Sequence, residues 1–117
     1  MAEAHEEDDE IFVYMGGDQE VPYGIRRARI HKSVKIVPAR AFENRQQLIS
    51  VEFHDGIEII GEEAFYWCDS LRGSIKLHGV KVIKARAFQH CFQLTGVEFG
   101  DTLETIEQHA FAHIATY

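Results

Sequence analysis

The chain has 117 residues, 45% of them hydrophobic and 11% aromatic, which allows one soluble domain with one core. Its formal net charge of −7 excludes the broad basic surface that binds phosphate backbones, so nucleic acid is not expected as a partner. No apolar run reaches the length of a membrane span, so membrane insertion is not expected either.

The first element is an acidic head. Residues 1–10 carry Glu3, Glu6, Glu7, Asp8, Asp9 and Glu10 and read as a disordered acidic tail. They lack the basic-then-apolar pattern of a secretory signal, which points to the cytoplasm for the chain as it stands. Asp18 and Glu20 complete eight acids before Ile25, with no Lys or Arg among them, while the rest of the chain holds 12 bases against 11 acids. Over residues 11–24, Ile11-Phe12-Val13-Tyr14 is apolar enough to cover the open end of a stack. Gly16-Gly17 and Val21-Pro22 then make turns leading into Ile25. An acidic docking tail is the other reading of this head.

Residues 25–117 are a repeat. Ala-Phe occurs at Ala41-Phe42, Ala64-Phe65, Ala87-Phe88 and Ala110-Phe111, each pair 23 residues after the last. Val34, Ile57, Val80 and Leu103 keep the same step, as do Val37, Ile60, Ile83 and Ile106. Leu48, Leu71 and Leu94 form a further column that ends at Tyr117. Within each unit, apolar–polar alternation at Ala28-Arg29-Ile30, Val51-Glu52-Phe53, Ile75-Lys76-Leu77 and Val97-Glu98-Phe99 predicts a strand. The third copy sits one residue late, as if a residue entered after Leu71 and one left before Gly79. A second short strand around Ile57–Ile60 follows, and Ala64, Phe65, Cys68 and Leu71 then fall at helical spacing. The expected architecture is an α/β repeat solenoid of about four stacked 23-residue leucine-rich-type repeats, with a parallel β-sheet and short helical turns.

Stacking makes its own test. The columns Arg29, Glu52, Lys76, Glu98 and Lys35, Glu58, Lys81, Glu104 alternate in sign, and Arg40, Glu63, Arg86, His109 follows the same order. Each exposed pair contributes only about a few tenths of a kcal/mol, but a slip by one rung would set like charges together.

The unit LISVEFHDGIEIIGEEAFYWCDSL, Leu48 to Leu71, resembles the BspA-like class of leucine-rich repeats. The resemblance covers about Ile25 to the C-terminus, with departures at the two ends, where Arg45 and Ile114 stand in the cysteine column. It implies a binding or adhesion module, often at a bacterial or protist cell surface. It supplies no shared catalytic residues.

Candidate sites follow from the columns. Cys68 and Cys91, 23 residues apart, read as reduced, buried thiols in adjacent rungs. His31, His54 and His78 form a column after the first strand, either an ordinary turn position or a weak metal or protonation site. His90 and His113 share a second column with Trp67. Tyr66 and Trp67 lie beside the core positions of their turn and are candidate partner anchors or packing residues. The strand face of Arg29, Glu52, Lys76 and Glu98, with small neighbours, suits a broad or extended protein partner. The last rung, with Phe111, Ile114 and Tyr117, lacks a visible polar cap and is the candidate self-association surface, which would give a homodimer.

No Gly-rich phosphate loop, Gly-x-Ser-x-Gly, His-Glu-x-x-His or Cys-x-x-Cys occurs. The expectation is therefore a non-enzymatic protein-interaction or adhesion module without cofactor. A structural tile growing end to end is the alternative, and a weak metal-binding domain using the His column is a more distant one.

Overall fold

Alternation in the sequence fixes the first strand of each rung. In β2 (Arg27–Ile30), Ala28 and Ile30 are buried while Arg29 faces solvent. The computed structural model describes residues 10–115 and repeats this arrangement along a right-to-left progression of rungs in which every strand pairing is parallel. β1 (Ile11–Tyr14) pairs with β2, and β2 with β4 (Ser50–Glu52). β6 (Arg72–Leu77) pairs with β8 (Gln93–Phe99) as a separate two-stranded sheet. On the other side of the core, β3 (Ile36–Val37), β5 (Ile59–Ile60), β7 (Val82–Ile83) and β9 (Thr105–Ile106) form one four-stranded sheet. The fold is a parallel β-solenoid of about four leucine-rich-type turns.

The extra residue expected after Leu71 appears as a bulge. Gly73 has φ +81°, and the β6–β8 register shifts between Gly73 and Ser74. This irregularity falls where the first-strand sheet divides between β4 and β6.

The core is made of the columns seen in the sequence. Val37, Ile60 and Ile83 are fully buried, as are Leu48, Leu71 and Leu94. The Phe column is a stack. Phe42 and Phe65 have centroids 4.8 Å apart, Phe65 and Phe88 5.0 Å, and Phe88 and Phe111 5.2 Å, with tilts of 9°, 2° and 4°. Tyr14 closes its N-terminal end edge-on, 5.2 Å from Phe42. Repeats of 23 residues thus bring identical rings to roughly the spacing of neighbouring strands.

The expected short helical turns are not present: the described residues contain no helix. Two residues in each of these segments are left-handed, Arg40 and Asn44, Glu63 and Trp67, Arg86 and His90, His109 and His113. Such a backbone cannot run on as a right-handed helix. Instead, tight turns alternate with bonds between rungs. The N–H groups of Arg40, Phe42 and Asn44 donate to the carbonyls of Glu62, Ala64 and Tyr66, while those of Ala41, Glu43 and Arg45 donate three residues back. Rung two repeats the scheme toward Ala85, Ala87 and Gln89, and rung three toward Gln108, Ala110 and Ala112. Each left-handed residue costs about 1–3 kcal/mol. In the first three rungs, the N–H of each one is held by the next rung, which offsets that cost.

Candidate functional site

The outward face of the first strands carries the charge ladder. Arg29 donates from Nε to Glu52 Oε1 at 2.8 Å. Lys76 and Glu98 stand opposite one another in the β6–β8 register, and Glu98 also meets His78 Nε2 at 3.3 Å. Arg27 stands opposite Ser50, and Ser74 opposite Gly96, so small residues flank the charges. On the turn side, Arg40 donates to Glu63 at 3.0 Å. These pairs are exposed and individually weak, and they hold register more than they stabilise.

The histidine column closes turns. His31 Nδ1 accepts the Ser33 N–H at 3.1 Å, and His54 Nδ1 accepts the Gly56 N–H at 3.0 Å. His54 Nε2 then donates to the Val34 carbonyl of the rung before, at 3.0 Å. His78 instead lies between Glu98 and Asp55, its Nδ1 4.0 Å from the Asp55 carboxylate. Among the described residues no three His, Cys, Asp or Glu side chains converge as a metal site.

Cys68 and Cys91 are free and buried. Their thiols donate to the Phe42 carbonyl at 3.1 Å and the Phe65 carbonyl at 3.2 Å, so each ties its rung to the one before. Burial pushes the Cys68 thiol well above its ordinary value, with Cys91 adding to the effect; burial pushes Cys91 up to about 12. Arg45 occupies the same column in the first rung. Its Nε donates to the Val21 carbonyl at 3.0 Å and its Nη1 to the Glu43 carbonyl at 2.6 Å. The guanidinium also lies 3.9 Å from the centre of the Tyr23 ring. The sequence marks Arg45 only as a departure at the end of the stack; the structure makes it the bond between the first rung and the segment before it.

Tyr66 and Trp67 are half-buried in an aromatic patch. Trp67 stacks on His90 at 4.3 Å, and His90 on His113 at 4.8 Å. Tyr66 meets His90 edge-on at 5.6 Å, and Phe92 meets Trp67 at 5.3 Å. The 23-residue step reveals the Trp67–His90–His113 column, but Phe92, which is 43% exposed, has no signal in that step.

The C-terminal rung is bare where inner rungs are closed. Phe99 is 37% exposed and Ile106 45%, against 1% for Leu77 and 0% for Ile83 one rung earlier. Phe111 and Ile114 are half-buried. Tyr117, the third residue expected on this surface, lies outside the described residues. Within the described residues no charged side chain is buried, and no helix is long and apolar enough to cross a membrane.

A sequence model described as the BspA type leucine rich repeat region (6 copies) matches residues 23–116. The chain belongs to this family. Among solved structures, a leucine-rich repeat protein from Bacteroides ovatus is similar over 89% of this BspA-type chain, at 26% identity and a TM-score of 0.77. The BspA-type chain spans only 28% of that protein's length. No curated protein sequence matches it.

Proposed function

We propose that this BspA-type repeat chain is a non-enzymatic protein-interaction or adhesion module that presents the outward face of its first strands to a protein partner. The observation that carries the reading is the flat ladder of Arg29, Glu52, Lys76 and Glu98, set among small residues over a filled core. Such a face offers fixed charges at strand spacing but no enclosed space for a small substrate. Tyr66 and Trp67 form a second anchor region at the adjoining turns. A cell-surface location follows from the family resemblance and belongs to the same reading.

A displayed library of extended peptides and small domains tests it. Binders selected on the chain should be lost when Arg29→Glu, Glu52→Lys, Lys76→Glu and Glu98→Lys are combined. Binders that persist on this variant would move the site elsewhere.

A second reading is favoured by the bare last rung: end-to-end self-association through Phe111 and Ile114, together with Phe99 and Ile106. The N–H groups of His109, Phe111 and His113 have no acceptor in a following rung, which leaves an edge able to pair with a second chain. Sedimentation across a concentration series, beside a chain lacking residues 112–117, is the test. A dimer that truncation alters supports stacking, and a monomer throughout removes it.

A further inference from the structure

Charge is segregated by rung. Residues 25–47 hold seven bases against the single acid Glu43, a net of +6; the head before them is −8, and residues 48–117 are −5. Three of these bases are already engaged: Arg29 with Glu52, Arg40 with Glu63, and Arg45 with backbone carbonyls. Arg26, Arg27, Lys32 and Lys35 have no carboxylate partner among the described residues.

The chain brings its acids to this rung from both sides. Asp18 and Glu20 line the same cleft as Arg40 and Arg45. Ile11 stands opposite Arg27 in the β1–β2 register, which sets Glu10 beside Arg26, and both line a cleft of 650 Å3 at the N-terminal end of the stack. The segment before Glu10 therefore leaves β1 at the side where Arg26 and Arg27 stand. Nine extended residues reach about 30 Å. The four residues of β2 span only about 13 Å, so Lys32 beyond it is within reach.

We propose that the acidic segment Glu3–Asp9 lies in cis over Arg26, Arg27 and Lys32, covering a surface of the first rung that binds acidic peptide. Each exposed pair is weak alone. Five carboxylates on a short tether, however, face the rung at an effective concentration of order millimolar. A free acidic peptide must displace them. The proposal stands apart from the partner-binding reading, because it concerns the chain's own segment and does not need the strand face to take a protein.

The test uses a fluorescein-labelled peptide of residues 2–10, followed by anisotropy at about 20 mM salt, where screening is weak. Three proteins are compared: the full chain, a chain lacking residues 2–9, and the full chain with Glu3→Gln, Glu6→Gln, Glu7→Gln, Asp8→Asn and Asp9→Asn. The truncated and neutralised chains should bind at least about fivefold more tightly than the full chain. Adding Arg26→Gln and Arg27→Gln should abolish the gain. Equal affinities, no binding by the truncated chain, or a gain that survives these two substitutions would overturn the proposal. So would a block by the full chain that fades on dilution, since that would place the segment on a second copy. A readout independent of the peptide is the backbone amide spectrum. Residues 26–32 should shift between the full and neutralised chains, and unmoved resonances would also overturn the proposal.

Discussion

The rings of Phe65 and Phe88 lie 2° from parallel with their centroids 5.0 Å apart, and each belongs to a different rung. Both are fully buried, and each contacts a neighbouring ring on either side along the stack. Replacing Phe65 by Ala removes a ring from the middle of the column and leaves a cavity between two others. The expected loss is about 3–5 kcal/mol in urea unfolding. Phe111→Ala, at the end of the column, should cost about 1–2 kcal/mol, because less of that ring leaves water. Equal losses at the two positions would mean that the column is not a continuous stack.

Two glycines set how closely the rungs approach. A Cβ at Gly79 would strike the carbonyl oxygen of Asp55, and one at Gly100 the carbonyl oxygen of His78, each in the rung before. Neither glycine has a positive φ, so the demand is for space and not for backbone freedom. Gly79→Ala should destabilise the fold by about 2–3 kcal/mol through forced separation of adjacent turns. Gly24→Ala, whose Cβ would meet nothing within 4 Å, is the control and should be close to neutral. A Gly79→Ala protein as stable as the control would remove the close approach.

The columns of the stack were legible because burial repeats with the chain. Val37, Ile60 and Ile83 occupy one register position and are all fully buried. The bulge near Gly73 was legible for the same reason, as a slip against an otherwise constant period. The helical turns were misread because Ala64, Phe65, Cys68 and Leu71 satisfy a helix and a series of tight turns equally well. What separates the two is the left-handed backbone at Glu63 and Trp67, and neither residue type announces it as glycine would. The cation of Arg45 could be seen to break the cysteine column. Its partners, the Val21 carbonyl and the Tyr23 ring, lie 24 and 22 residues earlier in an irregular segment, and no period points to them.

The cysteine thiols should resist alkylation in the folded chain. Both are buried, both donate to a carbonyl, and burial holds their protons well above the ordinary thiol range. Iodoacetamide at about pH 8 should label neither in native buffer and both in urea. The same shifts give a pH dependence. A folded pKa raised above the unfolded one contributes stability at pH below the ordinary 9.0 that is lost as pH rises toward about 12. Unfolding in urea should therefore grow easier through that alkaline window. Rapid labelling of a chain that keeps its native circular dichroism would show that the thiols are not buried.

The opposite sign applies at His90. Its ring lies between Trp67 and His113, with Tyr66 and Phe92 at its edges, and no carboxylate is among these neighbours. Desolvation lowers its pKa from the ordinary 6.5, and the charge of His113 lowers it further. The folded chain thus holds this proton less readily than the unfolded chain does. The stabilisation is fully present above about pH 6.5 and declines as pH falls through the folded value. His90→Phe keeps a ring in the stack but removes the titration. Unfolding midpoints in urea at pH 7.5 and 5.0 should therefore fall further for the native chain than for the variant, with carboxylate titration common to both. A titration of the His90 ring by NMR should place its midpoint below 6.5. If the two chains lost the same stability and the midpoint lay at or above that value, the stack on Trp67 and His113 would not be opposing the charge.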